Sequence, residues 1–223
     1  EAERAIIETL REYKVSFTLV SEESGIIKYG ENPNENFVTV DPIDGTTNLT
    51  RGIFFYATSI AVSTKQTLKT VHTALVADLF HNITYTAQRG KGAYCNHHRI
   101  HPSRNTILED AVIGIDLNAY KVEKIIPKLT KLIHKTKHIR HLGANALEMC
   151  YVADGKIDAF IDIRGKLRAT DMAAAWLIIR ESNAKITTPD GNPLEITLDP
   201  KQKVAFIAAN SKIYESILET LNL

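Results

Sequence analysis

Asp41-Pro42-Ile43-Asp44-Gly45-Thr46-Thr47-Asn48 is the densest concentration of chemistry in the chain, and it follows directly on an apolar run, Phe37 to Val40. Proline disfavours the α region in the residue before it, so Asp41 stays extended at a strand tip, and Asp44 lies past a turn that can fold its carboxylate back towards Asp41. Gly45 permits an unusual turn, and Thr46 or Thr47 can cap a short helix whose free amides favour an anion such as phosphate. Two carboxylates ~4 Å apart repel by about 4 kcal/mol at an effective dielectric of ~20, so acids grouped at a strand edge call for a counter-ion. All-oxygen ligands suit hard Mg²⁺, which keeps some waters and coordinates substrate phosphate. Zinc would favour histidine or cysteine, and none of the eight histidines has metalloenzyme spacing. Taken singly, Asp-Pro and Asp-Gly are ordinary turn formers. The whole octet argues instead for a cation site adjoining an anion site.

The elements that must position these acids are legible in outline. Ala2, Ile6, Leu10 and Tyr13 recur on one face of an opening helix with no capping residue ahead of it, so further residues are expected upstream. Phe17 to Ser21 reads as a buried strand running into Glu22-Glu23-Ser24-Gly25; this strand and Phe37 to Val40 both finish on acids. β-Branched stretches at Ala57 to Thr64, Val71 to Asp78 and Asn82 to Ala87, separated by turns of hairpin length, form a mainly antiparallel meander. The second half mixes strands (Val112 to Asp116, Ile157 to Ile163, Val204 to Ala208) with helices (Lys121 to Lys135, Ala144 to Ala153, Met172 to Glu181, and one after Ser211). The fold class expected is α+β in packed layers. A single domain of two fused lobes is expected, divided in the polar stretch His97 to Asn105, with lobe one over 1–105 and lobe two over 106–223.

Composition narrows the partners. Across 223 residues, 44% hydrophobic and 24% charged, the chain can bury a substantial core. A net charge of +1 gives no global field for nucleic acid or anionic membrane, so neither is expected as a partner. Cys95 and Cys150 are far apart in sequence and lack metal or redox spacing, which suits free thiols and a reducing cytoplasm. No apolar run approaches ~20 residues, and Glu1-Ala2-Glu3-Arg4 does not resemble a signal peptide.

With the octet, the turn Ser21-Glu22-Glu23-Ser24 and the segment Thr170-Asp171-Met172-Ala173-Ala174, the chain resembles the inositol monophosphatase family. Gly90-Lys91-Gly92-Ala93-Tyr94-Cys95-Asn96 and Gly143-Ala144 to Cys150 extend the resemblance over nearly the whole chain, although Thr170 stands where the family carries tryptophan. The resemblance implies a layered α-β-α-β-α sandwich and a phosphatase using two or three Mg²⁺ ions. By position, Glu22, Asp41, the Ile43 carbonyl, Asp44 and Asp171 would be the ligands, with Glu22, Asp44 and Thr46 catalytic. Thr46 would hold the attacking water, and the Gly45 and Thr46 amides would bind phosphate. Gly143 and Ala144 resemble the segment lining the substrate pocket, Gly143 reading equally as a helix-start turn. Homodimers are common in the family. A lysine-bearing stretch and an aspartate that the family carries ahead of the first helix are expected in a segment preceding Glu1.

The run Ile163-Arg164-Gly165-Lys166-Leu167-Arg168 resembles archaeal members that hydrolyse both inositol monophosphate and fructose 1,6-bisphosphate, with which the chain also shares L-E-M-C-Y-V-A. Asp162 falls where animal enzymes carry an inositol-binding glutamate. Arg164, Lys166 and Arg168 would place three cations beside the catalytic acids, suited to a second phosphate; a solvated basic loop is the plainer alternative. The activity implied is Mg²⁺-dependent hydrolysis of small sugar or polyol phosphates. The rivals are a 3′(2′),5′-bisphosphate nucleotidase of the same fold and a metal- or phosphate-binding module without turnover.

Overall fold

A computed structural model describes residues 1–118 and 122–222 of the chain. Its first sheet is built from β1 (Phe17–Ser21), β2 (Gly25–Tyr29), β3 (Phe37–Asp44), β4 (Ala57–Ser63), β5 (Val71–Asp78), β6 (Ile83–Gln88), β7 (Gly92–Cys95) and β8 (His98–Arg99), in the order β2-β1-β3-β4-β5-β6-β7-β8. Every neighbouring pair is antiparallel except β1 and β3, which run parallel with Ser21 opposite Val40. That exception matters. Two strands that each end on an acid finish at the same edge, which two antiparallel strands would not do.

The second sheet joins β9 (Val112–Ile115), β10 (His138–Arg140), β11 (Ala159–Arg168), β12 (Lys185–Thr187) and β13 (Lys203–Ala209) in the order β10-β9-β11-β13-β12. Between the sheets lie α4 (Asn145–Ala153) and α5 (Ala169–Ser182), apolar on all sides, as a helix covered on both faces must be. Ala173, Ala174 and Ala175, all fully buried, let α5 approach the first sheet closely. On the outer face of that sheet α1 (Ala2–Glu12) sets Ile6, Ile7 and Leu10 against Phe17, Leu19, Val38 and Val40. The outer face of the second sheet is covered by α3 (Ile126–Lys135) and α6 (Tyr214–Leu221), whose Leu129, Leu132 and Ile217 pack on Ile113, Ile161 and Ile207. The layers are therefore α-β-α-β-α.

Several elements differ from the sequence reading, each for a local reason. β2 went unread because it is a largely exposed edge strand without a buried apolar face. β7, β8, β10 and β12 are two to four residues long, too short to show a period. The helix expected over Lys121 to Lys135 is a 3₁₀ turn at Val122–Lys124 and then α3, with Pro127 in its first turn, where proline is favoured. Lys121 lies outside the described residues. β11 runs to Arg168 instead of Ile163 because pairing with β13 resumes at Leu167 after an irregularity beyond Asp162. No helix among the described residues is long and apolar enough to cross a membrane.

Candidate active site

Three carboxylates converge from three elements. The parallel β1/β3 pair delivers Glu22 beside Asp41, and the Glu22 amide donates to the Val40 carbonyl (3.4 Å). At Asp41 the pairing of β3 with β4 slips, and its Oδ1 accepts the Ile43 amide (3.0 Å), closing a tight turn at the strand tip. Asp171 arrives from the first turn of α5, where Oδ1 accepts the Thr170 hydroxyl (2.8 Å) and Oδ2 the Arg168 amide (3.3 Å). That second bond ties the Asp171 carboxylate back to the N-cap amide, so α5 starts at Ala169, three residues before the expected Met172. Glu22, Asp41 and Asp171 each offer an oxygen lying within 4.8 Å of the others. The Arg168 guanidinium forms an ion pair with Glu22.

Burial and mutual repulsion set the electrostatics. Burial first, then Asp44 and Asp171, push the Asp41 carboxyl up to about 9. Burial and Asp171 push Asp44 up to about 8, against the pull of the α4 amides. Asp171 is raised as well, chiefly by burial. At neutral pH Asp41 and Asp44 hold protons unless a cation replaces them. The donor set fits a hard divalent ion: three carboxylates and no histidine or cysteine in the group. Thr39 Oγ1 and Ser59 Oγ, buried and without partners, lie on the same sheet face as Asp41, adding oxygens beneath the cluster.

Asp44 stands beside this group with a different engagement. Its Oδ1 accepts the Asn145 amide (3.0 Å) and its Oδ2 the Ala146 amide (2.7 Å), so it caps α4 from a hundred residues away in sequence. The Ile43 carbonyl accepts the Thr46 hydroxyl (3.0 Å). Gly45 and Gly143 adopt φ of +89° and +87° and approach closely: a Cβ on Gly45 would lie 3.0 Å from that of Ala144 and 3.3 Å from the Gly143 carbonyl. Asn48 sews the two turns together, donating to the Phe55 (2.8 Å) and Leu142 (2.7 Å) carbonyls. Between them opens a cleft of about 480 Å³, with Asp44 to Asn48 on one wall and His141 to Gly143 on the other. Ala144 is fully buried as the N-cap of α4, so it supports this wall from behind.

The basic run divides, correcting the expectation that Arg164 and Asp162 face substrate. Asp162 is wholly buried and the Arg164 side chain is 6% exposed. Arg164 donates to Asp162 through Nε (2.8 Å) and Nη2 (2.6 Å), pairs with Asp116 (2.5 Å) and donates to the Asn118 carbonyl (2.8 Å). With four of its five N–H donors engaged inside the protein and the side chain 6% exposed, it cannot grip a phosphate bidentately. Lys166 is exposed, and Arg168 pairs with Glu22 of the acid group. Asp116, His141 and Glu148 were not singled out from sequence. For Glu148 the signal was present: a lone charge in the otherwise apolar ALEMCYVA, fully buried here.

A family model described as "Inositol monophosphatase family" matches residues 1–222. The chain belongs to that family. It is 36% identical over 208 residues to a fructose-1,6-bisphosphatase/inositol-1-monophosphatase of Methanocaldococcus jannaschii, covering 93% of this chain and 77% of the relative. It is 31% identical to the Nus factor SuhB of Pseudomonas aeruginosa, covering 99% and 79%. A Pyrococcus horikoshii protein with similarities to inositol-1 monophosphatase superposes with a TM-score of 0.83 at 35% identity, covering 98% of this chain and 82% of that one. As a member of the inositol monophosphatase family, the chain is a phosphoric monoester hydrolase of a metal-dependent group.

Proposed function

We propose that the chain is a Mg²⁺-dependent phosphomonoesterase acting on small sugar and polyol phosphates, with inositol 1-phosphate and fructose 1,6-bisphosphate as its substrates. The observation that carries this reading is the convergence of Glu22, Asp41 and Asp171 to within 4.8 Å beside a polar cleft. These three would hold magnesium, with Asp44 and the Ile43 carbonyl adjoining. Bound there, magnesium supplies Lewis acidity and an activated water for displacement at phosphorus.

The chain's own groups divide the remaining work. The Thr46 hydroxyl gives its proton to the Ile43 carbonyl, so its lone pairs are left to accept a hydrogen bond from the attacking water. The Gly45 and Thr46 amides, at the start of α2 (Thr46–Arg51), cradle the phosphate. Gly143 supplies the opposite wall, where its lack of a side chain keeps the cleft open. Arg168, which is 38% exposed, is the cation placed to meet a second phosphate.

Phosphate release from fructose 1,6-bisphosphate, inositol 1-phosphate and adenosine 3′,5′-bisphosphate, measured with Mg²⁺ and with chelator, tests the proposal. Release from the first two that stops with chelator is expected. Preference for the nucleotide, or no release from any of the three, contradicts it.

A further inference from the structure

Glu148 is a charged group in a place that packing alone does not explain. It sits in the first turn of α4, 1% exposed, amid the apolar layer between the sheets. One oxygen, Oε1, accepts two amides at once, those of Leu142 (3.2 Å) and Gly143 (2.9 Å). The other, Oε2, has no partner and presses on Gly114, where even a Cβ would come within 2.9 Å of it. A buried carboxyl half-satisfied in this way is costly, and a hydrophobic residue of equal size would spare the cost.

The two amides it holds belong to a wall of the cleft. On the carbonyl side, Leu142 accepts Asn48 Nδ2 (2.7 Å), and the Gly143 carbonyl packs where a Gly45 side chain would begin. The Leu142-Gly143 turn is therefore gripped from both sides, by Glu148 through its amides and by Asn48 through a carbonyl. The turn in turn buttresses Gly45 and Asn48, in the octet that takes phosphate in the proposal above. Burial pushes the Glu148 carboxyl up to about 7, against the pull of the two amides, with Asp116 adding to the rise and Arg164 opposing it. A neutral side chain that keeps the acceptor oxygen should therefore serve nearly as well.

We propose that Glu148 is a positioning residue for the phosphate subsite: by fixing the Leu142 and Gly143 amides, it sets the wall that buttresses Gly45 and Asn48 and so places the Gly45 and Thr46 amides that hold the substrate phosphate. The inference rests on the phosphatase reading for what the subsite binds. The positioning itself has a readout that does not require turnover.

The full chain is compared with Glu148→Gln, which keeps an acceptor oxygen, and Glu148→Met, which keeps the shape without one. Amide hydrogen exchange in the 141–144 and 45–49 segments should quicken at least about tenfold in the methionine variant and stay near the parent in the glutamine variant. The KM for phosphate ester and the inhibition constant of inorganic phosphate should rise about tenfold in the methionine variant, with a smaller change in kcat; glutamine should restore both to within about threefold. If Glu148→Met does not fold, Glu148→Asp, one methylene too short to reach both amides, takes its place. A folded methionine or aspartate variant with parental exchange at residues 142–143 and parental phosphate affinity overturns the inference. Absence of turnover in the parent defeats the functional reading alone, because exchange still decides the positioning.

Discussion

Two groups of buried acids in this protein are built to opposite rules. Asp116 and Asp162 share one internal cation, Arg164, which donates to them and to the Asn118 carbonyl. Glu22, Asp41 and Asp171 gather within 4.8 Å, and Arg168 pairs with Glu22 from a partly exposed position. Charge balance distinguishes structure from function here: acids given an internal partner brace the fold, and acids left in surplus await a cation from outside.

The largest effect should come from breaking the surplus group. Asp41→Asn or Asp171→Asn should lower the rate of phosphate release at least a thousandfold, equivalent to about 4 kcal/mol. The same changes should raise the stability of the metal-free protein by about 1 to 3 kcal/mol in chemical denaturation, because a neutral amide removes the cost of burying a carboxyl beside other acids. Loss of stability alongside activity would make these acids braces like the other pair. For the balanced group the expectation reverses. Arg164→Met strands two buried carboxylates and should cost about 3 to 5 kcal/mol, lowering the melting temperature by roughly 10 °C; a stable variant that loses only bisphosphate hydrolysis would return Arg164 to the substrate.

Titration should separate the groups further. Asp41 and Asp44 hold protons in the folded protein that the unfolded chain gives up near 3.8, so each stabilises less as pH rises from about 4 through about 8 and 9. Melting of the metal-free protein should therefore fall across that window, and Mg²⁺ should flatten the fall; equal slopes with and without the ion would contradict the comparison. The smallest effect is expected at Arg168, whose pair with Glu22 is 38% and 30% exposed. Arg168→Ala should change stability by under about 1 kcal/mol while tightening Mg²⁺ binding a few-fold. Unchanged Mg²⁺ binding would show that Arg168 and the ion do not compete.

What the sequence disclosed follows the same division. The acids of the octet were legible because strand tip, proline and glycine act locally, and the layered fold because apolar periods are long in β3, β5 and α5. Asp44's capping of α4 was hidden, since its partners lie 101 and 102 residues away and no local pattern announces them. Arg164 misled for a similar reason. A basic residue two positions after Asp162 reads as a solvated or phosphate-binding loop until Asp116, from a neighbouring strand, is seen to close over it. Charges reveal their type in sequence; whether they are paired is decided by tertiary contacts.

Titration of Mg²⁺ into the metal-free protein at neutral pH in weak buffer, following both binding heat and released protons, tests the central claim most directly. If surplus acids hold protons in place of an ion, binding should expel protons, and Asp41→Asn should reduce the release and weaken the binding. Binding without proton release, or binding that Asp41→Asn leaves intact, would show that the three carboxylates are not the cation's site.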